Sequence, residues 1–145
     1  MDKPFVLVAD DNEATCTLIA ALLRHEFVVE PAYDGMAAVA KLKSRRYAAV
    51  ILDLFMPQVD GFEVLDFLRA ERPDLLPRTI VVTASIGRRD VDRVHGYGVC
   101  ALLAKPFEVD VLQATVQKCA GEDDAFDGSS PLVTGMILLI ADLLR

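Results

Sequence analysis

The chain has 145 residues, enough for one domain with a sizeable hydrophobic core and too few for a large second domain. Its 15 Lys and Arg residues against 22 Asp and Glu residues give a net charge of -7. This negative charge argues against direct binding to the phosphate backbone of a nucleic acid. The chain does not open on a basic region followed by a long apolar one, so we expect no signal peptide and a cytoplasmic location.

Five short apolar runs along the chain predict β-strands, at residues 5–9, 28–32, 48–52, 79–83 and 99–104. The segments that come after them have apolar residues at i, i+3 and i+4, the spacing of an amphipathic helix. The predicted helices cover residues 12–25, 34–45, 61–71, 88–97 and 107–119. The chain is therefore expected to form five successive strand–helix pairs.

A possible capping side chain precedes three of these helices: Asp11 or Asn12 the first, Asp34 the second and Asp60 the third. The strands are almost continuously apolar, which favours a parallel sheet covered by helices on both faces. This is the doubly wound α/β class, in which ligands bind at the carboxyl ends of the strands.

The three cysteines, Cys16, Cys100 and Cys119, are an odd number and have no CxxC or Cys/His spacing. We therefore expect neither a disulfide framework nor a zinc site. The interpretation is that all three are small core residues in a reducing compartment.

Polar residues end four of the predicted strands. Asp10 and Asp11 follow the first strand, Asp53 the third and Lys105 the fifth, and Thr83 is the last residue of the fourth. Because the carboxyl ends of parallel strands share one edge of the sheet, these five side chains are expected to meet there. Clustered carboxylates repel one another unless a cation neutralises them.

A set of oxygen ligands without His or Cys favours Mg²⁺, which commonly binds one or two carboxylates together with a phosphate oxygen. Lys105 and Thr83 would supply a positive charge and a hydroxyl donor for a phosphoryl group. Asp53 is then the natural nucleophile, and its attack on phosphorus would form an aspartyl phosphate.

Four segments in this order resemble the receiver domain of two-component response regulators: VADDN, LDLFMPQVDGFEVL, VVTAS and LAKPF. The resemblance covers residues 5 to 119 and implies a flavodoxin-like sheet with strand order 2-1-3-4-5. It also implies that Asp53 takes a phosphoryl group from a histidine kinase or phosphotransfer protein, while Thr83 and Lys105 contact that group. The domain would phosphorylate and dephosphorylate itself without turning over an external substrate.

The resemblance further implies a magnesium site. Its ligands would be Asp11, Asp53 and the backbone carbonyl of Phe55, with Asp10 assisting through water. Phosphorylation would switch a surface around the fourth helix, fifth strand and fifth helix, which would bind a downstream protein or a second copy of the chain.

Each site residue also has a simpler interpretation. Asp10 and Asp11 could only cap a helix, and Asp53 could belong to an Asx-turn. Thr83 suits any strand, and Lys105 could be a solvated surface residue. Among whole functions, one alternative is a receiver-like scaffold that dimerises without phosphorylation. Another is a phosphatase like haloacid dehalogenases, but its second Asp would fall at the position of Phe55.

Two positions depart from the family pattern. Leu102, three residues before the lysine, stands where an aromatic ring usually swings inward on activation. Phe55, two residues after the acceptor, is bulky and apolar. We expect Phe55 to hinder the attacking water and to lengthen the phosphorylated state.

The tail outside the resemblance has two parts. Residues 121–130 are acidic and rich in Gly and Ser, the composition of a flexible linker after the receiver at 1–120. Residues 131–145 are expected to form an apolar helix, shorter than the ~20 residues needed to span a bilayer. This C-terminal helix could dock on its own domain, on a second copy or on a partner protein.

Overall fold

The computed structural model describes residues 2–84 and 86–121. Its five strands are all parallel and lie in the order β2-β1-β3-β4-β5, which confirms the predicted doubly wound sheet. Their bounds are β1 Phe5–Ala9, β2 Val28–Ala32, β3 Ala49–Leu52, β4 Thr79–Thr83 and β5 Ala101–Ala104. The predicted fold class and strand order are therefore correct.

Within residues 2–84 and 86–121, five α-helices and one short 3₁₀ helix connect and follow the strands. The α-helices are α1 Glu13–Leu23, α2 Gly35–Ser44, α3 Gly61–Glu71, α4 Arg88–Gly96 and α5 Val109–Cys119. The 3₁₀ helix, Pro73–Arg78, was not predicted and leads into β4. A side-chain oxygen caps each of the first three helices, at Asn12, Asp34 and Asp60. Each accepts a backbone N–H that the helix itself leaves without a partner.

The core lies on both faces of the sheet. Every residue of β3 and β4 is buried, including Ile51, Leu52 and Ile80 at 2% exposure or less. Removing a side chain of this size from water stabilises the fold by roughly 1.5–3 kcal/mol. Helix α1 contacts α5, and α2 contacts α3. Because strand crossovers are right-handed, the reversal of direction after β2 places these two pairs on opposite faces.

Strand β2 forms one edge of the sheet, since β1 is its only partner among the described strands. Pro31 lies within this strand, in register with Val8. An edge is the position in a sheet that tolerates proline, because the missing N–H need not break a ladder on both sides.

The expectation for the cysteines is wrong for two of the three. Cys16 is free and buried as predicted, but Cys100 and Cys119 form a disulfide with their Cα atoms 6.0 Å apart. The two residues are 19 positions apart, and only the return of α5 along the sheet brings its last residue to the start of β5. Sequence spacing alone does not reveal that approach.

No helix in the described ranges is both long and apolar enough to cross a membrane. The predicted C-terminal helix at 131–145 lies outside the described residues, as does the predicted linker beyond Gly121.

Candidate functional site

The carboxyl edge of the sheet positions the two buried acids. The N–H of Asp10 donates to the carbonyl of Ala32 at 3.0 Å, and the N–H of Asp53 donates to the carbonyl of Ala9 at 2.9 Å. Both residues thus extend the ladders of β1 and β3 by one bond. Their backbones are fixed by the sheet, so their side chains emerge at a defined place on the edge.

Asp10, Asp11 and Asp53 form one cluster, in which the nearest carboxylate oxygens all lie within 4.8 Å of one another. Asp10 and Asp53 are buried at 3% and 7% exposure, whereas Asp11 is exposed. Lys105 reaches into the cluster, with its Nζ 2.6 Å from Asp10 Oδ2 and 3.4 Å from Asp53 Oδ2. The predicted acids and lysine therefore meet at one site.

Burial and charge act in opposite directions on the acceptor candidate. Burial raises the pKa of Asp53, the N–H of Phe55 and the charge of Lys105 lower it, and the neighbouring Asp10 raises it, so that it ends above its usual value. Burial disfavours the charged form of Lys105, but its bond to Asp10 and the charge of Asp53 raise the pKa of Lys105 overall. The lysine therefore stays protonated beside the two acids.

Thr83 ends β4 at the same edge and is completely buried. Its Oγ1 makes no hydrogen bond with any described residue. The N–H of Lys105 donates to the carbonyl of Thr83 at 2.9 Å, which ties the backbones of the two residues together. A buried hydroxyl without a partner is costly, so it marks a position where an added acceptor would be stabilised.

The loop from β3 to α3 shapes the other side of the cluster. The N–H of Phe55 donates to Asp53 Oδ1 at 3.2 Å, so an Asx-type bond exists alongside the lysine contact. A Cβ on Gly61, the first residue of α3, would clash with the carbonyl oxygen of Asp53 and lie 2.5 Å from the Cα of Leu54. The sequence indicated only that Asp60-Gly61 begins a helix. It did not show that α3 must start against the acceptor.

Neither residue of the acidic pair caps α1, because Asn12 does so. Asn12 Oδ1 accepts the N–H of Thr15 at 3.1 Å and caps α1, while Asp10 Oδ1 accepts the N–H of Asn12 at 2.9 Å. Neither Asp10 nor Asp11 is therefore needed as the cap. Their carboxylates remain at the edge of the sheet, beside Asp53.

This set of donors fits a hard divalent cation. Three carboxylates offer oxygen ligands at short mutual distances, and one of the three is open to solvent. Mg²⁺ prefers oxygen ligands and keeps several waters, which an exposed side of the cluster can accommodate. The single positive charge of Lys105 does not balance three carboxylates, so a divalent ion would be attracted.

The two residues that depart from the family pattern occupy different environments. The Phe55 side chain is 51% exposed, unusually open for a phenylalanine, and Phe55 follows Asp53 by two residues in the loop. Leu102 lies in β5 and is 1% exposed, so it belongs to the hydrophobic core. Repacking Leu102 would require its core neighbours to move with it.

The family model described as the response regulator receiver domain matches residues 6–117. The chain is 39% identical over 115 residues to the transcriptional regulatory protein TctD of Salmonella typhimurium strain LT2, a match that covers 77% of this chain and 50% of TctD. It is 32% identical over 134 residues to the transcriptional regulatory protein ZraR of Escherichia coli O157:H7, covering 92% of this chain and 30% of ZraR. The chain thus spans half or less of the length of these two curated relatives.

Two solved structures are similar in both fold and sequence. The receiver domain of the sensor histidine kinase PA1611 from Pseudomonas aeruginosa PAO1 is 30% identical, with a TM-score of 0.74 over 83% of this chain and 100% of that one. That structure has a magnesium ion coordinated in its active site cleft. The Vibrio cholerae chemotaxis protein CheY4 is 26% identical, with a TM-score of 0.73 over 81% of this chain and 99% of that one.

Proposed function

The chain belongs to the family of response regulator receiver domains, and from that membership we propose that it is a phosphorylation-controlled switch whose acceptor is Asp53. The observation that supports this most is the buried Asp53 carboxylate, with Lys105 Nζ 3.4 Å from its Oδ2. A positive charge at that distance favours the carboxylate that must attack, and it would also screen the charge of an incoming phosphoryl group.

The proposed reaction moves a phosphoryl group from a donor to a carboxylate oxygen of Asp53. The new O–P bond forms as the P–N bond of a phosphohistidine breaks, and the histidine nitrogen regains a proton. Lys105 would bind one phosphoryl oxygen, and the Thr83 hydroxyl would donate to another. The unpartnered, buried Oγ1 of Thr83 supports this role, because the phosphoryl group would give it the acceptor that the described residues do not.

We propose that Asp11, Asp53 and the backbone carbonyl of Phe55 bind Mg²⁺, with Asp10 assisting through water. When bound, the ion would neutralise the charge that the acids and the phosphoryl oxygens share. Asp10 is already hydrogen-bonded to Lys105 at 2.6 Å, which supports an indirect role for its carboxylate. Removal of divalent ions should therefore prevent phosphorylation without unfolding the domain.

The proposed donor is a histidine kinase or a phosphotransfer protein in the cytoplasm, and the chain would act on a protein rather than on nucleic acid. We also propose the division into a receiver at 1–120, a linker at 121–130 and an apolar helix at 131–145. The helix or the surface of α4, β5 and α5 would then bind a downstream protein or a second copy.

The readout would begin at Thr83, because a hydroxyl drawn toward the phosphoryl group moves the end of β4. The element after β4 is α4, and two contacts hold it against α3. The hydroxyl of Tyr97, the residue after α4, donates to Asp66, and the Arg93 guanidinium on α4 lies 3.8 Å from the centre of the Phe62 ring. Without an aromatic ring at position 102, the signal would pass through these α3–α4 contacts and through repacking of the core around Leu102.

The test is incubation of the full chain with Mg²⁺ and acetyl phosphate, followed by intact mass spectrometry. We expect one phosphoryl adduct in the parent protein and none with Asp53→Asn or with a chelator. Asp92→Asn is the matched control, since Asp92 is an exposed acid on α4 and its replacement should leave the adduct unchanged.

Two results would contradict the proposal. An adduct that persists in Asp53→Asn would place the acceptor elsewhere. A parent protein that forms no adduct, and that does not change its oligomeric state with a beryllofluoride phosphoryl mimic, would instead favour the scaffold that acts without phosphorylation.

A further inference from the structure

A concave site lies at the opposite end of the sheet from Asp53. It is a pocket of about 560 Å³, here called the basal pocket, whose lining includes Phe5, Tyr47, Arg46, Arg78 and the chain at Ala120 and Gly121. Phe5 begins β1 and Arg78 directly precedes β4, so the basal pocket opens at the amino ends of the strands. None of the residues proposed to handle phosphate lines it.

The charged side chains that line the basal pocket are both cationic. Arg78 donates to the carbonyl of Ala48 at 3.1 Å and to that of Ala120 at 3.5 Å, so its guanidinium lies beside the last turn of the described chain. Arg46 is exposed. No acidic side chain is among the described residues that line the pocket.

The rest of the lining is apolar enough to receive a hydrophobic side chain. Pro4, Phe5 and Ala48 contribute to it, and the Arg45 guanidinium stacks 4.0 Å from the centre of the Phe5 ring. Tyr47 is buried at 2% exposure, with its hydroxyl donating to Glu30 at 2.7 Å. The basal pocket therefore combines two cations with an apolar wall.

The sequence directly after the pocket has the complementary chemistry. Residues 122–127 read EDDAFD, with four carboxylates and a phenylalanine in six residues. They follow Gly121, which is itself part of the pocket lining. A chain extends at most ~3.6 Å per residue, so a segment of six residues that starts at the pocket lining is long enough to reach across the pocket.

We infer that residues 122–127 bind back into the basal pocket, with their carboxylates facing Arg46 and Arg78 and Phe126 on the apolar wall. A directly connected segment has an effective concentration in the millimolar range, an advantage that no separate partner has. A second copy would also bring a net charge of -7 toward a chain of the same charge. Binding of this segment would fix the direction in which the chain leaves the receiver.

The absence of tryptophan from the sequence makes a direct test possible. In the full chain, Phe126→Trp introduces a single reporter at the inferred contact. We expect its emission to be shifted to the blue, and its quenching by acrylamide to be several-fold weaker, relative to a peptide of residues 118–130 with the same substitution. Both properties should be independent of protein concentration.

Charge reversal then tests the contact itself in the Phe126→Trp background. Arg46→Glu should move emission and quenching most of the way to the peptide values, because an attractive pair becomes repulsive. Arg89→Glu on α4 makes the same change of charge at an exposed position outside the pocket lining and should have no effect. Combining Arg46→Glu with Asp123→Lys and Asp124→Lys should recover part of the blue shift.

Circular dichroism of each variant would establish that the receiver is still folded. The inference is overturned if the reporter in the full chain behaves like the peptide, or if Arg46→Glu and Arg89→Glu have equal effects. A blue shift that grows with protein concentration would also overturn it, since that result assigns the contact to a second copy.

Discussion

The buried polar groups at the two ends of the sheet differ in their hydrogen bonding. At the amino end, the buried Thr79 hydroxyl donates to the carbonyl of Leu75 at 2.8 Å, and Arg78 donates to backbone carbonyls. At the carboxyl end, the equally buried Thr83 hydroxyl makes no hydrogen bond with a described residue, and two acids share one lysine. The buried polar groups at the amino end thus stabilise the fold. The buried Thr83 hydroxyl at the carboxyl end lowers the stability of the fold but is available for the chemistry proposed there.

Substitutions at the two ends of the sheet should therefore affect different properties of the protein. A change at the amino end should lower the free energy of unfolding and leave phosphorylation intact. A change at the carboxyl end should alter phosphorylation, and where it removes a group without a partner it should stabilise the protein.

The disulfide at the amino end should give the largest effect on stability. Cys119→Ala frees a loop with a sequence separation of 19 residues, and we expect it to lower the free energy of unfolding by ~3 kcal/mol through the gain in unfolded-chain entropy. Urea unfolding with and without reductant measures this. Reductant should destabilise the parent but not the variant, and a parent with one midpoint under both conditions would contradict the prediction.

Gly61→Ala tests whether the carboxyl end also has a purely steric requirement. The added Cβ would meet the backbone of Asp53 and Leu54, so we expect a loss of about 2 kcal/mol together with slower phosphorylation. Gly96→Ala is the control, because nothing lies within 4 Å of its added Cβ and it ends α4. The control should be neutral or more stable, and equal losses for both glycines would rule out the steric account.

The two buried threonines of β4 give the sharpest comparison. Thr83→Val removes a hydroxyl without a described partner, so we expect it to raise the free energy of unfolding by about 1 kcal/mol. Thr79→Val removes the donor to Leu75 and should lower it by about the same amount. Thermal unfolding of the two variants and the parent measures whether the two changes in stability have opposite signs. If both lose stability, the two ends of the sheet do not differ in the proposed way.

Phe55→Asn should have the smallest effect, and on a rate rather than on stability. The phenylalanine is 51% exposed, so its replacement should cost little, while water gains access to the aspartyl phosphate. We expect dephosphorylation to become a few-fold faster, measured as loss of the mass adduct with time. Leu18→Asn, a similar replacement at an exposed position on α1, controls for polarity alone. Equal lifetimes for all three proteins would reject the shielding role of Phe55.

Much of the fold follows from local pattern. The bounds of β1, β2, β4 and α3 agree with those predicted, because apolar runs and capping residues mark them directly. Strand β5 begins at Ala101, two residues later than predicted: Val99 and Cys100 are as apolar as the strand, but they follow the turn at Gly98, where φ is +77°. The 3₁₀ helix was missed because Pro73 and Pro77 suggest an irregular segment.

The prediction of the candidate site depends on the rule that ligands bind at the carboxyl ends of parallel strands, and not on local sequence pattern. Asp10, Asp53 and Lys105 meet, and Thr83 ends β4 at the same edge, because parallel strands end together. The sequence alone predicts this shared edge. Their pairing could not be predicted, since it depends on the reach of one side chain: Lys105 lies closer to Asp10 than to Asp53. The disulfide and the steric role of Gly61 likewise depend on distances between elements.

Pro31 has a consequence for how copies of this protein meet one another. The N–H of Val28 donates to Pro4 and the carbonyl of Ala32 accepts from Asp10, so residues 28, 30 and 32 of β2 direct their backbone groups toward β1. The backbone of Pro31 therefore faces outward, where the free edge lacks one donor. An incoming strand would lose that ladder bond, which opposes edge-to-edge aggregation at the edge that β2 forms among the described strands.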